Sequence, residues 1–249
     1  MSVLKAVGIA KSFNHRLVVN NIDISVSSGE IIGLLGRNGA GKTTTFQIMV
    51  GLIKPDRGNI YLDSQDISSL PTYCRASSGI TYLPQEDSVF LKATVEDNLK
   101  LVLQLQPLKK EEQQKIASRL LDELGLSQLA KNYAYTLSGG ERRRLEICRS
   151  LILQPKFLLL DEPFTGIDPL TIKDLQKIML SLKKKNIGII VSDHNVRDTF
   201  KIADRAYIID EGQLLIEGTP QEIASDEKAK EKFLGKDFTL GKEISPHSS

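Results

Sequence analysis

The chain has 249 residues, the upper end for one domain; 41% are hydrophobic, 26% charged and 6% aromatic, with no Trp. That balance is too apolar for wholesale disorder. Its 33 basic and 31 acidic side chains leave a formal charge of +2, which supplies no electrostatic footprint for nucleic acid.

The first sixty residues read as strands. Leu17–Val26 carries alternating apolar positions (Val19, Ile22, Ile24, Val26), and Ser28-Gly29 makes a turn before Glu30. Ile31–Leu35 is a continuous apolar run, the pattern of a parallel strand buried on both faces. A Gly-rich turn follows, then a helix over Lys42–Gly51 that stops before Pro55, and short strands at Asn59–Leu62 and Ile80–Leu83.

The middle changes character. Thr94–Leu105 places Val95, Leu99, Leu101, Val102 and Leu105 at helical spacing and is ended by Pro107. Lys109–Leu124 is a charged amphipathic helix with Ile116, Leu120, Leu121 and Leu124 on one face and Gly125 as its C-cap. Residues 94–137 are therefore expected to form a helical subdomain inserted into an α/β core.

Alternation then returns: helix Gly140–Leu153, strand Phe157–Leu160, helix Leu170–Lys185, strand Ile187–Val191 and helix Asn195–Ala203. Strands Arg205–Ile209 and Leu214–Ile216 flank Glu211-Gly212 as a hairpin. This order predicts a doubly wound core over residues 1–226. Residues 227–249 are expected to be a short, partly disordered extension with a frayed end.

The most apolar segments, such as Ile31–Leu35 and Phe157–Leu160, are strand-length, far short of the roughly 20 residues a membrane-spanning helix needs. No apolar segment follows Met1, so no secretory signal is expected. The isolated Cys74 and Cys148 supply neither a disulfide framework nor a zinc site. The expectation is a soluble, cytoplasmic chain without membrane insertion.

Gly36-Arg37-Asn38-Gly39-Ala40-Gly41-Lys42-Thr43 matches G-x-x-x-x-G-K-[ST] between a buried strand and a helix. Gly36, Gly39 and Gly41 let the backbone turn tightly, so its N–H groups, those of Asn38 and Thr44 included, converge on phosphate oxygens. The helix that follows adds its N-terminal dipole. Lys42 is expected to reach the β- and γ-phosphates and the Thr43 hydroxyl to ligate Mg²⁺. The apolar strand Phe157–Leu160 ends in Asp161 and Glu162. Asp161 can hold the metal, directly or through water, and Glu162 can polarise a water aimed at the γ-phosphate.

Leu137-Ser138-Gly139-Gly140-Glu141 supplies a second anion-binding nest, Ser138 with two glycines at the head of a helix. Two such helix ends in different subdomains suggest ATP shared between two subunits. Here the chain resembles the ATP-binding cassette family, its transporter ATPases in particular, over nearly its whole length. The resemblance implies a P-loop NTPase core with an antiparallel β subdomain and an inserted helical subdomain, ATP and Mg²⁺ as cofactors, and a head-to-tail homodimer.

By that resemblance Phe13 stacks on adenine, where the family usually has Tyr; a core aromatic on an early strand is the other reading. Gln85 in Leu83-Pro84-Gln85 is similar to the glutamine that senses Mg²⁺ and the γ-phosphate. His194, after Ser192-Asp193, is similar to the switch histidine, whereas His15 and His247 fall outside any motif. Gly166-Ile167-Asp168-Pro169 occupies the place where the family often has Ser-Ala-Leu-Asp, so only Asp168 transfers, as a residue of the nucleotide site.

Stretches such as Gly41–Phe46, Tyr82–Glu86, Leu137–Arg144, Asp161–Phe164, Asp193–Arg197 and Phe233–Phe238 resemble the branch that powers bacterial lipopolysaccharide export. That branch implies a peripheral subunit on the cytoplasmic face of the inner membrane. It also implies integral membrane subunits docking near Gln85–Leu91, with Phe90 exposed. Branched-chain amino-acid importers and soluble ATPases of iron–sulfur assembly share the core motifs and are the alternatives. No sustained heptads suggest the coiled coils of DNA-repair relatives.

Overall fold

The computed structural model describes residues 1–240. Residues 241–249, with His247 and the end of the expected extension, lie outside the described residues. Val3–Phe13 (β1) and Arg16–Ser27 (β2) form a hairpin. Ile31–Gly36 (β3), helix Lys42–Met49 (α1), Arg57–Leu62 (β4), Gln65–Asp66 (β5), helix Thr72–Ser77 (α2) and Ile80–Leu83 (β6) follow. Helices Val95–Leu103 (α3), Lys110–Glu123 (α4) and Gly139–Leu151 (α5) come next. Phe157–Asp161 (β7), helix Pro169–Lys184 (α6), Gly188–Asp193 (β8), helix Val196–Phe200 (α7), Arg205–Asp210 (β9) and Gln213–Gly218 (β10) complete the sheets. Short helices Pro220–Ser225 (α8) and Glu227–Ala229 (α9) and a π-helical segment at Lys230–Leu234 follow.

The smaller sheet is antiparallel, in the order β2-β1-β4-β5. The larger runs β10-β9-β3-β8-β7-β6 and is parallel except for its edge pair β9–β10. Every residue of β3, β7 and β8 is buried, because both faces of the large sheet are covered. The two-residue period of a strand divides their side chains between two cores. Leu158, Leu160, Ile189 and Val191 join Leu99, Leu120, Leu145 and Leu175 of the helices. Phe157, Leu159 and Ile190 join Phe46 of α1 and the inner face of the small sheet. The ends of β3, β6, β7 and β8 therefore open at one edge, where parallel sheets place their ligands.

Differences from the expected elements are local. Helix α1 ends at Met49, with Gly51 beyond it at φ 81°, and α7 spans only Val196–Phe200. Helix α2 and β5 have no counterpart among the expected elements. Arg75 explains α2: it is 2% exposed and donates to the carbonyls of Ile48, Met49, Ser68 and Leu70. It thereby satisfies the Met49 carbonyl at the end of α1 and adds a second donor to that of Ile48, which also accepts from Gly51 N–H. Among the described residues no helix is long and apolar enough to cross a membrane.

Candidate active site

The loop after β3 wraps a cavity of about 290 Å³. Asn38, Gly39, Gly41, Lys42, Thr43 and Thr44 form one wall, and Gln85 and Glu162 face them. Gly41 sits at φ 106°, and a Cβ there would lie 2.7 Å from the Val18 carbonyl oxygen, so a larger residue would push the loop off β2. Lys42 is 5% exposed, and its ammonium donates to the carbonyls of Gly36 (2.9 Å) and Arg37 (3.2 Å). Burial holds its pKa below the usual lysine value, and Glu162, Asp161 and Asp193 partly offset this.

A neighbouring cavity of about 650 Å³ shares Val18, Asn38 and Gly39 and is bounded by Arg16, Leu17 and Arg37. Phe13 pairs with Arg16 across the β1–β2 hairpin, 42% exposed at its tip, with the Lys11 ammonium 5.7 Å from its ring centre. It is thus not a core residue, and it stands beside this cavity rather than lining it.

Strand β7 delivers its two acids to different environments. Asp161 is fully buried and accepts from the Tyr82 hydroxyl at 3.1 Å and from Ser192 Oγ. Burial and this carboxylate push the Tyr82 hydroxyl pKa upward, so it stays a donor. Glu162 adopts φ 47°, a left-handed conformation uncommon outside glycine, and its N–H donates to the Ser192 carbonyl at 2.8 Å. This turn aims its carboxylate at the cavity. Glu162 Oε2 accepts from Gln85 Nε2 at 3.0 Å and from Thr165 Oγ1 at 3.1 Å, and His194 Nδ1 lies 3.6 Å away.

His194 follows β8, half-exposed, with Nδ1 also 3.6 Å from Asp193. Asp193 is buried and accepts from the backbone N–H groups of Asn195 (2.8 Å) and Phe164 (3.1 Å). Burial raises its pKa, and the two N–H bonds partly offset the rise. Lys42, Thr43, Gln85, Glu162 and His194 are thus assembled from four separate loops. Thr43 and Gln85 line the cavity and carry oxygen donors of the kind Mg²⁺ takes, whereas Asp161 lies behind the cavity wall with its two oxygens on Tyr82 and Ser192. Tyr82 and Ser192, which orient Asp161, carried no signal beyond standing within quoted motifs.

The second nest lies elsewhere. Ser138 caps α5 in a reciprocal box: Glu141 N–H donates to Ser138 Oγ at 3.3 Å, and Ser138 N–H donates to Glu141 Oε2 at 2.8 Å. At Gly140 an added Cβ would sit 2.0 Å from the Thr171 Cγ2 methyl of α6, so a larger residue would force that side chain to move. Ser138, Gly139 and Gly140 do not line the Lys42 cavity. The Asp168 carboxylate caps α6, accepting from the N–H groups of Leu170 and Thr171 and, at 2.5 Å, from Thr171 Oγ1. These bonds, the hydroxyl first, hold its pKa below the usual carboxylate value.

On the helical side a shallow groove of about 540 Å³ is lined by Val89, Phe90, Leu91, Lys92, Ala93 and Leu101. Phe90 is 50% exposed, with the Arg149 guanidinium 4.8 Å from its ring centre.

A glycine-rich loop ending in Lys42, an acidic strand end and a glutamine and a histidine that meet the Glu162 carboxylate on one parallel sheet, with a serine–glycine helix cap set apart, are the features of an ATP-binding cassette. The chain belongs to the ABC transporter family, which residues 19–165 match. It is 46% identical to the "Lipopolysaccharide export system ATP-binding protein LptB" of Haemophilus influenzae and 48% identical to the protein of that name in Escherichia coli K12. Both alignments cover 96% of this chain and all of the relative. A nucleotide-free ATP-binding cassette from an ABC transporter superposes with a TM-score of 0.85 at 27% identity, over 95% of this chain and all of the other. A cassette in its ADP conformation gives 0.84 at 28%, with the same coverage.

Proposed function

We propose that this chain is the ATP-hydrolysing motor subunit of a lipopolysaccharide export transporter, peripheral on the cytoplasmic face of the inner membrane. Gln85 and Glu162 line the cavity that holds Lys42, and His194 stands 3.6 Å behind the Glu162 carboxylate, an arrangement that supports hydrolysis. End-to-end similarity to proteins named for lipopolysaccharide export supports the cargo.

In this reading the loop N–H groups from Asn38 to Thr44 hold the phosphates, and Lys42 exchanges the carbonyls of Gly36 and Arg37 for β- and γ-phosphate oxygens. Glu162, oriented by Gln85 and Thr165, takes a proton from the attacking water. His194 contacts the γ-phosphate and holds the site in its reactive form. Phe13 stacks on the base beside the larger cavity. Thr43, Gln85 and Asp161 would hold Mg²⁺, which when bound would supply charge neutralisation on the phosphates. Two copies face head to tail, so that Ser138, Gly139 and Gly140 of one, flanked by Asp168, complete the site of the other. The cassette proper is residues 1–226, with its helical subdomain at about 94–137, and the Phe90 groove receives the membrane subunits.

The test is reconstitution of the chain with its copurifying membrane proteins in vesicles containing lipopolysaccharide. ATP-dependent release of lipopolysaccharide, with turnover stimulated by it, is the expected result. Stimulation by branched-chain amino acids instead, or full activity without any membrane protein, contradicts the assignment.

A further inference from the structure

One face of α5 ties together the two loops that carry the reactive side chains. Arg143 and Glu146 are buried one turn apart, and Arg143 Nη1 donates to Glu146 Oε2 at 2.8 Å. The same Nη1 donates to the Pro84 carbonyl at 3.0 Å, while Nη2 donates to the Asp161 carbonyl at 2.8 Å. Pro84 immediately precedes Gln85, and Asp161 immediately precedes Glu162. A single planar cation therefore spans the two backbones from which the hydrogen-bonded Gln85 and Glu162 side chains project.

The clamp is itself held. Glu146 Oε1 accepts from Ser88 N–H at 2.5 Å and from Ser88 Oγ at 3.0 Å, which leaves the carboxylate no freedom to swing away from Arg143. Arg149, further along the same helix, donates to the Ser88 carbonyl at 2.5 Å. Stability alone is a poor reason for such a pair, because apolar residues of similar volume often replace buried ion pairs without loss. A guanidinium fork fixes two carbonyls at a set separation, which a lysine ammonium cannot do.

We propose that Arg143, oriented by Glu146, is a positioning residue for hydrolysis that holds Gln85 and Glu162 in register. It does not line the Lys42 cavity and acts only through those two side chains. The proposal rests on the ATPase reading of the site. Its signature is a split: the chemical step depends on the clamp, whereas the grip on ATP belongs to Lys42 and its loop.

The experiment is steady-state ATPase kinetics with nucleotide titration on the full chain carrying Arg143→Lys, which keeps a cation beside Glu146 and loses the fork. We expect kcat to fall about tenfold or more, with KM and ATP affinity within about threefold of the parent. Arg143→Met combined with Glu146→Leu removes the pair as a unit, strands no buried charge, and is expected to give a folded chain with the same split. A folded Arg143→Lys chain with kcat within about twofold of the parent, or with a loss confined to KM, overturns the clamp. A parent chain that does not turn over ATP overturns the reading beneath it, so the two failures are distinguishable.

Discussion

Gln85 and Glu162 lie 77 residues apart in the chain, and the amide of one donates to the carboxylate of the other at 3.0 Å. The bond holds Glu162 at the edge of the Lys42 cavity and uses one of the two Gln85 amide hydrogens, leaving its carbonyl oxygen for other partners. Gln85→Ala removes this restraint without touching the phosphate loop. Turnover is expected to fall about ten- to a hundredfold, with ATP affinity within about threefold, measured by phosphate release and nucleotide titration. A loss of affinity with unchanged kcat would place Gln85 in binding instead.

Lys42 is a buried cation whose donors currently rest on loop carbonyls. Lys42→Ala deletes a charge-assisted contact to phosphate and is expected to weaken ATP binding by at least about tenfold. Fluorescent-nucleotide titration checks this, and near-normal affinity would exclude the loop as the phosphate site.

Phe90 is half-exposed at a groove and contributes nothing to the phosphate cavity. Phe90→Glu is expected to abolish copurification of membrane subunits and transport, with intrinsic ATP binding within about twofold of the parent. Unchanged transport would remove the groove from the docking surface.

Glu96 opens α3 and pairs with Lys100 at 2.8 Å and with Lys131, while its own side chain is nearly buried. These partners, Lys100 first, lower its pKa from 4.5 to about 2. A depressed carboxylate pKa stabilises the fold above the unfolded value and loses that contribution as pH falls from about 4.5 toward about 2. Since both lysines are substantially exposed, solvent screening reduces the contribution to about 1 kcal/mol. Urea unfolding at pH 7 and pH 3 should therefore show Glu96→Gln less stable at pH 7 and less sensitive to acid. Equal acid sensitivity in both proteins would refute the pairing.

Much of the fold was legible because its strongest signals are one-dimensional. Ile31–Leu35 and Phe157–Leu160 are apolar without interruption, and the glycines and Lys42 after the first run carry their own geometry. Helix α2 was not legible: Thr72–Ser77 has no apolar periodicity, and its anchor, Arg75, is a charged residue that reads as surface. Within the site, the residue types were readable and their relationships were not. Nothing in the run Arg142–Arg144 distinguishes the buried Arg143 from its neighbours, because its partners, Pro84 and Asp161, lie 59 and 18 residues away. Likewise Asp168 was expected at a nucleotide, and its carboxylate is engaged as the cap of α6.

The proposed head-to-tail ATP sandwich meets its most direct test in Glu162→Gln, which keeps the shape of Glu162 and removes the proposed base. This variant is expected to bind ATP, to lose at least about a hundredfold in turnover and to accumulate as a closed dimer. Light scattering with and without ATP and Mg²⁺ reads the outcome. A shift from monomer to dimer on adding ATP is the result expected, and a chain that stays monomeric with ATP bound would contradict it.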